Sequence, residues 1–439
     1  MFGTSGIRGI YGHDITIGLA SKVASIFASG RLVAGRDIRE SGPALFGAVC
    51  RGAHSAGADV VDLGIVPTPT AALATKKHSC RGIMITASHN PPEYNGLKLI
   101  EGGKEIGKPL EREVTARYGK AADVKGGVHG RTIRDAAIIE DHKGLVAGVV
   151  DCKAIAARKP KVVVDCNGAA CAITPQLLTD LGCRVVSVNA SESCFNRPSE
   201  PSAGNLAYLS SFVREIGADF ALAHDGDGDR CMVLDELGEA LALDTQLAIM
   251  IEHELGRKSR GGAKVVSTVE ASLTIRDVVE KSGGEILITP VGSTYVGDAL
   301  EESGALFGGE PCGEYIYKAG VHVPDAVMAA AMFAEIFCAG GPFSKLKTRY
   351  PQHFMAREKF RAGDKHAAMR KVIDAVSALG IAGKTRTDDG IRVDEEDGWF
   401  LIRASGTEPV VRLTMEYKAR ARRDERHAAL KRIISLALA

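Results

Sequence analysis

The strongest constraint on the fold is a repeated alternation of short apolar segments with helical segments. The alternation occurs in three stretches of the chain, at 31–86, 161–223 and 264–308. Strands separated by helices favour parallel sheets covered by helices, because a parallel connection has to cross over the sheet. Since the pattern occurs three times over roughly 330 residues, it predicts three similar α/β domains with mixed, mostly parallel sheets rather than one large sheet. The predicted strands are 31–35, 59–64, 82–86, 161–165, 184–188, 218–223, 264–267, 284–288 and 305–308, and the predicted helices are 43–56, 134–150, 174–181 and two that begin at Ser272 and Thr294.

The last part of the chain has a different pattern. Apolar runs at 391–393, 398–403 and 410–415 follow one another without helices between them, and a closing helix from Asp424 carries apolar residues on one face. This order predicts a C-terminal α+β domain with an antiparallel sheet. The four predicted domains span 1–132, 133–236, 237–345 and 346–439.

The charge balance and the cysteines restrict the class of protein. Lys and Arg total 55 against 54 for Asp and Glu, which gives no argument for binding to nucleic acid or to an anionic membrane. No apolar run reaches the ~18 residues of a membrane span, and the N-terminus does not resemble a signal peptide. The ten cysteines are scattered without a CxxC pair, so a zinc site is not expected. These features predict a cytoplasmic protein with reduced thiols.

The first motif with chemical potential is the segment Thr-Ala-Ser-His-Asn-Pro at 86–91. Its serine, Ser88, follows an apolar strand, and the carboxyl ends of parallel strands are where α/β sheets bind ligands. The alternative is a simple turn, since Asn-Pro and the Asn-Gly at 95–96 are both turn formers. Lys98 follows the predicted turn at 95–96, from where it could donate a proton to the serine, accept one from it, or pair with a phosphate.

The second motif is the acidic segment at 225–230. Three carboxylates at alternate positions, Asp225, Asp227 and Asp229, can converge on one hard cation, whereas without a cation they would repel one another. The main alternative is an EF-hand calcium loop, because Glu236 stands at position twelve counted from Asp225. That loop requires glycine at position six, where this chain has Arg230. The motif therefore predicts a Mg²⁺ site, beside which Arg230 could neutralise a phosphate.

Three further segments are informative mainly in combination. The segment 403–409 and Arg412 beyond it offer two guanidinium groups, two hydroxyls and a glycine, which suit a phosphate site as well as an ordinary hairpin turn. The segment 308–314 is predicted to be a Gly-rich loop whose acidic residues bind sugar hydroxyls. The segment 3–9 is a small-residue loop that carries Arg8.

Together and in this order, the five segments resemble the α-D-phosphohexomutase family, over nearly the whole chain. The resemblance implies four domains in a heart shape, the last of which closes over the cleft. It implies that Ser88 is the phosphorylated serine, supported by His89 and Lys98, and that Ser88 and the three aspartates bind Mg²⁺. It further implies that Arg8 and Arg230 line the catalytic centre, that Glu310 and Cys312 contact the sugar, and that the phosphate that does not react is held by Arg403, Ser405, Gly406, Thr407 and Arg412.

The reaction implied by the resemblance is a mutase reaction on a small sugar phosphate. Phosphoserine donates its phosphoryl group to a hexose monophosphate, and the bound hexose 1,6-bisphosphate, which also serves as activator, returns its other phosphoryl group. Water has to be excluded from the phosphoserine. The expected oligomeric state is a monomer or a homodimer.

The substrate is expected to be glucosamine phosphate. The segment 291–296 is more similar to that of phosphoglucosamine mutases than to that of bacterial phosphomannomutases, and Glu314 stands where many relatives have histidine. A carboxylate there could face the 2-ammonium group of the sugar. Cys312 replaces a serine, which is a stronger hydrogen-bond donor. The alternatives are a phosphomannomutase or phosphoglucomutase of dual specificity, an inactive sugar-phosphate-binding regulator, and a phosphatase.

Overall fold

The computed structural model describes residues 1–3, 5–121, 130–257, 262–405 and 409–438. Within these residues the chain forms three α/β domains with mixed sheets and a C-terminal domain with an antiparallel sheet, which confirms the predicted fold class.

The first domain contains a seven-stranded sheet of order β1-β5-β4-β2-β3-β7, with β6 paired to β5. Strands β4, β2, β3 and β7 are parallel to one another, whereas β5 is antiparallel to both β1 and β4. The strands are β1 (Ile7–Ile10), β2 (Arg31–Arg36), β3 (Asp59–Ile65), β4 (Arg81–Ile85), β5 (Tyr94–Glu101), β6 (Lys104–Glu105) and β7 (Thr132–Arg134), and the helices are α1 (Ile17–Phe27), α2 (Gly42–Ser55), α3 (Thr68–Lys77) and α4 (Lys108–Lys120).

The second domain contains a four-stranded sheet of order β11-β10-β8-β9, in which only the β10–β11 pair is antiparallel. The central strand β8 carries a run of fully buried valines, as expected for a strand covered on both faces. The strands are β8 (Lys161–Asp165), β9 (Arg184–Val188), β10 (Phe220–His224) and β11 (Cys231–Leu234), and the helices are α5 (Ile138–Ala147), α6 (Cys152–Arg158), α7 (Thr174–Asp180) and α8 (Ala207–Ile216).

The third domain contains a sheet of order β13-β12-β14-β15, with β15 antiparallel to β14. One hydrophobic core is shared by the second and third domains, where Phe337 packs on Phe220 with ring centroids 5.4 Å apart. The strands are β12 (Lys264–Thr268), β13 (Glu285–Thr289), β14 (Phe307–Glu310) and β15 (Glu314–Tyr317), and the helices are α9 (Leu243–Gly256), α10 (Leu273–Lys281), α11 (Ser293–Ser303), α12 (Ala326–Gly340) and α13 (Phe343–Leu346).

The fourth domain contains an antiparallel sheet of order β16-β20-β19-β18-β17. Helices α14 and α15 pack against this sheet, and Leu430 and Ile434 of α15 are fully buried in its core. The closing helix begins at Arg420, earlier than the predicted Asp424. The strands are β16 (Phe354–Arg361), β17 (Lys384–Arg386), β18 (Ile391–Asp394), β19 (Gly398–Ala404) and β20 (Val410–Tyr417), and the helices are α14 (Lys365–Ala378) and α15 (Arg420–Leu438).

The predicted turn at Asn95–Gly96 is wrong, because both residues lie inside strand β5. The Asn95 side chain is buried and donates a hydrogen bond to Ser41 Oγ at 2.7 Å. Gly96 is required for close approach of the neighbouring strands, because a Cβ atom there would lie 2.4 Å from the carbonyl oxygen of Ile7 and 2.7 Å from that of Thr86.

Two other predicted elements, a helix and a loop, differ from those in the structure. The predicted helix at 134–150 is shorter, since α5 begins at Ile138 and is preceded by β7, which pairs with β3 of the first sheet. The proposed domain boundary after 132 falls inside β7, and we propose to move it beyond Arg134.

The predicted loop at 308–314 is a β-hairpin formed by β14 and β15. Gly308 and Gly309 lie within β14, where a Cβ atom would lie 2.6 Å from side-chain carbons of Val296 and Leu247 respectively.

No single helix among the described residues is both long and apolar enough to cross a membrane. Helix α12 and the segment Phe343–Arg349, bent by 79°, meet that criterion only as a pair. Residues 326–337 of α12 are buried in the protein core.

Candidate active site

The motifs of the first three domains meet at one cavity of about 680 Å³. The carboxyl ends of strands β4, β10 and β14 bring their following segments to this cavity, as the α/β architecture predicts. Its lining includes Arg8, Ser88, His89, Asp229, Arg230, Glu310, Cys312 and Glu314, together with 291–293 and Glu270.

Ser88 is buried in a left-handed backbone conformation, with φ of 50°. This conformation costs a residue with a Cβ atom of order 1–2 kcal/mol, so the surrounding structure must enforce it. The amide of Ser88 donates to Thr86 Oγ1 at 2.8 Å, and Thr86 Oγ1 donates to Asp37 Oδ2 at 2.7 Å. The turn directs the Ser88 side chain across the domain boundary, where its Oγ donates to Asp225 Oδ2 at 2.8 Å.

The acidic loop after β10 buries all three of its aspartates. One carboxylate oxygen from each lies within 4.8 Å of the others. Burial raises the pKa of Asp225, and the carboxylates of Asp229 and Asp227 raise it further. Among the described residues, Asp227 Oδ1 and Asp229 Oδ1 are buried without a hydrogen-bond partner. Buried, converging and unpartnered carboxylate oxygens fit a hard divalent cation such as Mg²⁺.

Lys98 supplies positive charge to the acidic loop. Its Nζ lies 2.8 Å from Asp227 Oδ2 and 2.6 Å from Asp229 Oδ2, and its side chain is 1% exposed. Burial alone would lower the pKa of Lys98, but Asp227, Asp229 and Glu105 outweigh it and raise the pKa above its usual value. The geometry therefore favours a permanent ammonium group over a proton acceptor.

His89 and Arg230 belong to a second charged group on the cavity wall. Arg230 pairs with Glu314 Oε1 at 3.1 Å and with Glu200 Oε2 at 3.2 Å. His89 Nδ1 lies 3.4 Å from Ser88 Oγ and 3.8 Å from Glu200 Oε2. Burial, followed by the charges of Arg230 and Arg8, lowers the pKa of His89 to about 3. Its imidazole is therefore neutral at neutral pH.

The β14–β15 hairpin places three predicted sugar-binding residues on the cavity wall. Glu310 Oε2 accepts a hydrogen bond from the amide of Gly292 at 3.2 Å, and Glu314 pairs with Arg230. Burial, reinforced by Glu314, raises the pKa of Glu310. Burial also raises the pKa of the Cys312 thiol, which therefore stays protonated.

The predicted phosphate-binding residues lie in the fourth domain. Arg403 and Arg412 face each other on β19 and β20. Arg403 pairs with Asp389 at 3.3 Å and with Glu270 of the third domain at 3.4 Å, so it reaches the rim of the cavity. Lys365 Nζ donates to the Ser405 carbonyl oxygen at 2.6 Å. Gly406 and Thr407 lie outside the described residues. The described residues that line the cavity all come from the first three domains.

Several residues that act on the site were not singled out from the sequence. Thr68 donates to Asp227 Oδ2 at 2.6 Å, Glu105 lies 3.6 Å from Lys98 Nζ, and Glu200 pairs with Arg230. Thr68 stands in the Pro-Thr-Pro-Thr segment at 67–70, and this repeated dipeptide was the available signal in the sequence. Glu105 and Glu200 reach the site only through the tertiary fold.

Models of all four domains of one family match the chain. They are phosphoglucomutase/phosphomannomutase alpha/beta/alpha domain I at 1–125, domain II at 142–238, domain III at 243–354 and the C-terminal domain at 356–431. Among curated relatives, a probable phosphoglucosamine mutase of Methanosarcina acetivorans is 37% identical over 100% of this chain and 99% of its own length. A phosphoglucomutase/phosphomannomutase of Thermococcus kodakarensis is 37% identical over 95% of each chain.

Solved structures share the whole fold. A phosphoglucomutase/phosphomannomutase family protein of Burkholderia thailandensis has a TM-score of 0.87 at 28% identity and covers 99% of this chain and 97% of its own. An N-acetylphosphoglucosamine mutase of Aspergillus fumigatus, in complex with GlcNAc-6P and magnesium, has a TM-score of 0.63 at 16% identity, covers 100% of this chain and 96% of its own, and supports the fold alone. The matches extend through all four domains, and the chain therefore belongs to the phosphoglucomutase/phosphomannomutase family of phosphosugar mutases.

Proposed function

We propose that this protein interconverts glucosamine 6-phosphate and glucosamine 1-phosphate through phosphorylated Ser88 and a bound 1,6-bisphosphate. The observation that carries the proposal is the position of Ser88. Its Oγ, on a left-handed turn, lies 2.8 Å from a carboxylate oxygen of Asp225, at the edge of the acidic loop and on the wall of the cavity. A serine in this place can carry a phosphoryl group that faces both a cation and a sugar.

The transfer step exchanges one P–O bond for another. The bond between phosphorus and Ser88 Oγ breaks while a bond forms to the free hydroxyl oxygen of the sugar monophosphate. The hydroxyl loses its proton, and we assign His89 as the acceptor, because the negative charge of the phosphoryl group on the adjacent Ser88 would raise the pKa of this imidazole. In the second half of the reaction the other phosphoryl group of the bisphosphate returns to Ser88 Oγ. Free hexose 1,6-bisphosphate activates the enzyme by phosphorylating an unmodified Ser88.

Charge neutralisation is the main contribution of the protein to this chemistry. Asp225, Asp227 and Asp229, together with the phosphate on Ser88, would hold Mg²⁺, which supplies positive charge to the phosphoryl oxygens when bound. Lys98 is held as an ammonium group beside the acidic loop. Arg8 lines the cavity and donates to Ser5 Oγ at 3.1 Å, which keeps its guanidinium near the site.

Recognition of the two ends of the substrate is divided between domains. Glu310, Cys312 and Glu314 on the hairpin contact the sugar, and Arg230 orients Glu314. The phosphate that does not react binds to the fourth domain, through Arg403, Ser405, Gly406, Thr407 and Arg412. Binding there brings the fourth domain over the cavity and excludes water, which protects the phosphoserine from hydrolysis.

Two observations support glucosamine phosphate as the substrate. Relatives that match the whole chain include several named probable phosphoglucosamine mutases. Glu314 lines the cavity and carries a carboxylate that can face the 2-ammonium group. The ion pair with Arg230 is made through Oε1 of Glu314 and holds the carboxylate at the cavity wall, where it can also face the ammonium group of the sugar. The second candidate is a phosphoglucomutase/phosphomannomutase of dual specificity, which is favoured by the equally similar Thermococcus kodakarensis relative with that name.

The proposal is tested by a mutase assay with Mg²⁺ and a trace of hexose 1,6-bisphosphate. The values of kcat/KM for glucosamine, glucose and mannose monophosphates are compared. A preference for glucosamine phosphate of about tenfold or more, which corresponds to about 1.4 kcal/mol in the transition state, is expected. A preference for mannose or glucose phosphate would contradict the proposed substrate and favour the second candidate, a phosphoglucomutase/phosphomannomutase. Absence of turnover with all three substrates would contradict the mutase assignment and favour a sugar-phosphate-binding regulator.

A further inference from the structure

A fully buried arginine lies beneath the loop that carries Ser88. The side chain of Arg39 is 0% exposed, and its Nε donates to Asp37 Oδ2 at 3.0 Å. Its remaining N–H groups point to backbone carbonyl oxygens of the loop after β4 and of the first residue of β5. The four accepting carbonyls are those of Ser88 at 2.8 Å, Asn90 at 2.8 Å, Pro91 at 2.6 Å and Tyr94 at 2.8 Å.

This pattern uses the full donor capacity of a guanidinium group. Arginine has five N–H donors in a fixed plane, and here each has an acceptor. The plane of Arg39 therefore fixes the relative positions of the four carbonyls, including that of Ser88. A lysine at this position would keep the charge and lose the geometry, because an ammonium group has three donors at one atom.

A second donor reaches the same Ser88 carbonyl from the second domain. Ser199 Oγ donates to the Ser88 carbonyl oxygen at 2.9 Å, and Ser199 is 2% exposed. Gly226 of the acidic loop packs against this contact, since a Cβ atom there would lie 2.6 Å from both Ser199 Oγ and the Ser88 carbonyl oxygen. Arg197 holds the Ser199 segment, because it pairs with Asp165 at 2.6 Å and donates to the Ser199 carbonyl oxygen at 3.3 Å.

We infer that Arg39 and Ser199 are positioning residues for the phosphoryl-carrying serine, which they hold through its backbone carbonyl from two different domains. Neither residue lines the cavity, so neither is expected to contact the sugar. Arg39 fixes the shape of the nucleophile loop, and Ser199 fixes its distance from the acidic loop. The inference rests on the proposed phosphoserine function, because the rate of phosphoryl transfer depends on accurate placement of the reacting Ser88.

The decisive variant is Ser199→Ala, which removes one donor and leaves the Ser88 carbonyl bonded to Arg39. Its matched control is Ser210→Ala, which removes a serine hydroxyl bonded at 2.7 Å to the carbonyl oxygen of Gly238, in the same domain and outside the cavity lining. Ser199→Ala is expected to lower kcat about tenfold with KM changed less than about twofold, and Arg39→Lys to lower kcat about a hundredfold. Ser210→Ala is expected to change neither kcat nor KM. Ser199→Ala and Ser210→Ala should each lose a similar, small amount of thermal stability.

Unchanged kcat in folded Ser199→Ala would overturn the inference, even if its melting temperature fell, because a purely structural hydrogen bond affects stability and not the split between kcat and KM. If Arg39→Lys does not fold, Ser199→Ala decides alone. Phosphorylation of the wild-type protein by glucose 1,6-bisphosphate, measured by intact mass, separates the two hypotheses. A wild-type protein that is neither phosphorylated nor active would refute the proposed function, whereas an active wild type with an equally active Ser199→Ala would refute only the positioning role.

Discussion

Replacement of Lys98 by methionine tests how the acidic loop is kept folded without a cation. The ammonium group lies 2.8 Å from Asp227 and 2.6 Å from Asp229, and none of the three side chains is more than 7% exposed. Removal of one partner from such a buried ion pair costs about 3–5 kcal/mol, because it leaves uncompensated charge in the interior. Lys98→Met should therefore lower the free energy of unfolding by about this amount when Mg²⁺ is chelated.

Mg²⁺ should restore more stability to this variant than to the wild type. A ligand present at a hundred times its dissociation constant stabilises the folded state by about 2.7 kcal/mol, and the variant loop, with one positive charge fewer, should bind the cation more tightly. The assay is urea unfolding of both proteins with a chelator and with a Mg²⁺ titration. The matched control is Lys104→Met, since Lys104 also contacts two carboxylates, at 2.8 and 2.7 Å, but is 35% exposed.

The control is expected to lose at most about 1 kcal/mol, since exposed ion pairs contribute little, and its response to Mg²⁺ should equal that of the wild type. The reasoning is refuted if Lys98→Met loses no more stability than Lys104→Met in the absence of Mg²⁺. It is also refuted if Mg²⁺ stabilises Lys98→Met no more than the wild type.

Three further predictions concern specificity, pH and domain contact. Glu314→Gln should reduce the preference for glucosamine over glucose phosphate by about tenfold in kcat/KM, and an unchanged ratio would remove the proposed role of this carboxylate. Burial, followed by Glu416, raises the pKa of Asp244 from 3.8 to about 6, so the folded state binds more protons between these values and stability falls as pH rises through them. Asp244→Asn should therefore stabilise the protein by about 1–3 kcal/mol at about pH 7.5 and by almost nothing near pH 4, measured by urea unfolding at both values; equal effects would contradict the raised pKa. Arg392 of the fourth domain donates to the carbonyl oxygens of Val269 and Ala271 in the third domain. Arg392→Met should therefore weaken the contact between these two domains by about 2–3 kcal/mol, and calorimetry should show the fourth domain unfolding at a lower temperature. An unchanged calorimetric trace would contradict this role of Arg392.

Much of the fold was predictable because local patterns and tertiary structure agree. The apolar runs at 161–165 and 184–188 coincide with β8 and β9. The three aspartates at alternate positions also specify their own convergence, because a short loop between two buried strands leaves them little freedom. The clearest error, at Asn95–Gly96, has a physical reason. A glycine that allows a tight turn and one that allows close approach of strands are the same letter in the sequence, and only the neighbouring strands distinguish them.

The support of the site was less predictable than its reacting groups. Arg39 and Ser199 act on the backbone carbonyl of Ser88, and a carbonyl carries no residue-type signal. Glu200 and Arg230 lie 30 residues apart within the second domain and meet only once that domain has folded. Reacting side chains have characteristic chemistry and spacing, whereas the residues that position them are determined by contacts far apart in the chain.

The central claim is that Ser88 carries the phosphoryl group, and the most direct test is to look for it there. The protein is incubated with Mg²⁺ and glucose 1,6-bisphosphate, and its intact mass and peptides are then analysed alongside those of Ser88→Ala. The account predicts a gain of one phosphoryl group located on Ser88, its loss when a hexose monophosphate is added, and neither phosphorylation nor turnover in Ser88→Ala. Phosphate on another residue, or substantial mutase activity in Ser88→Ala, would contradict the account.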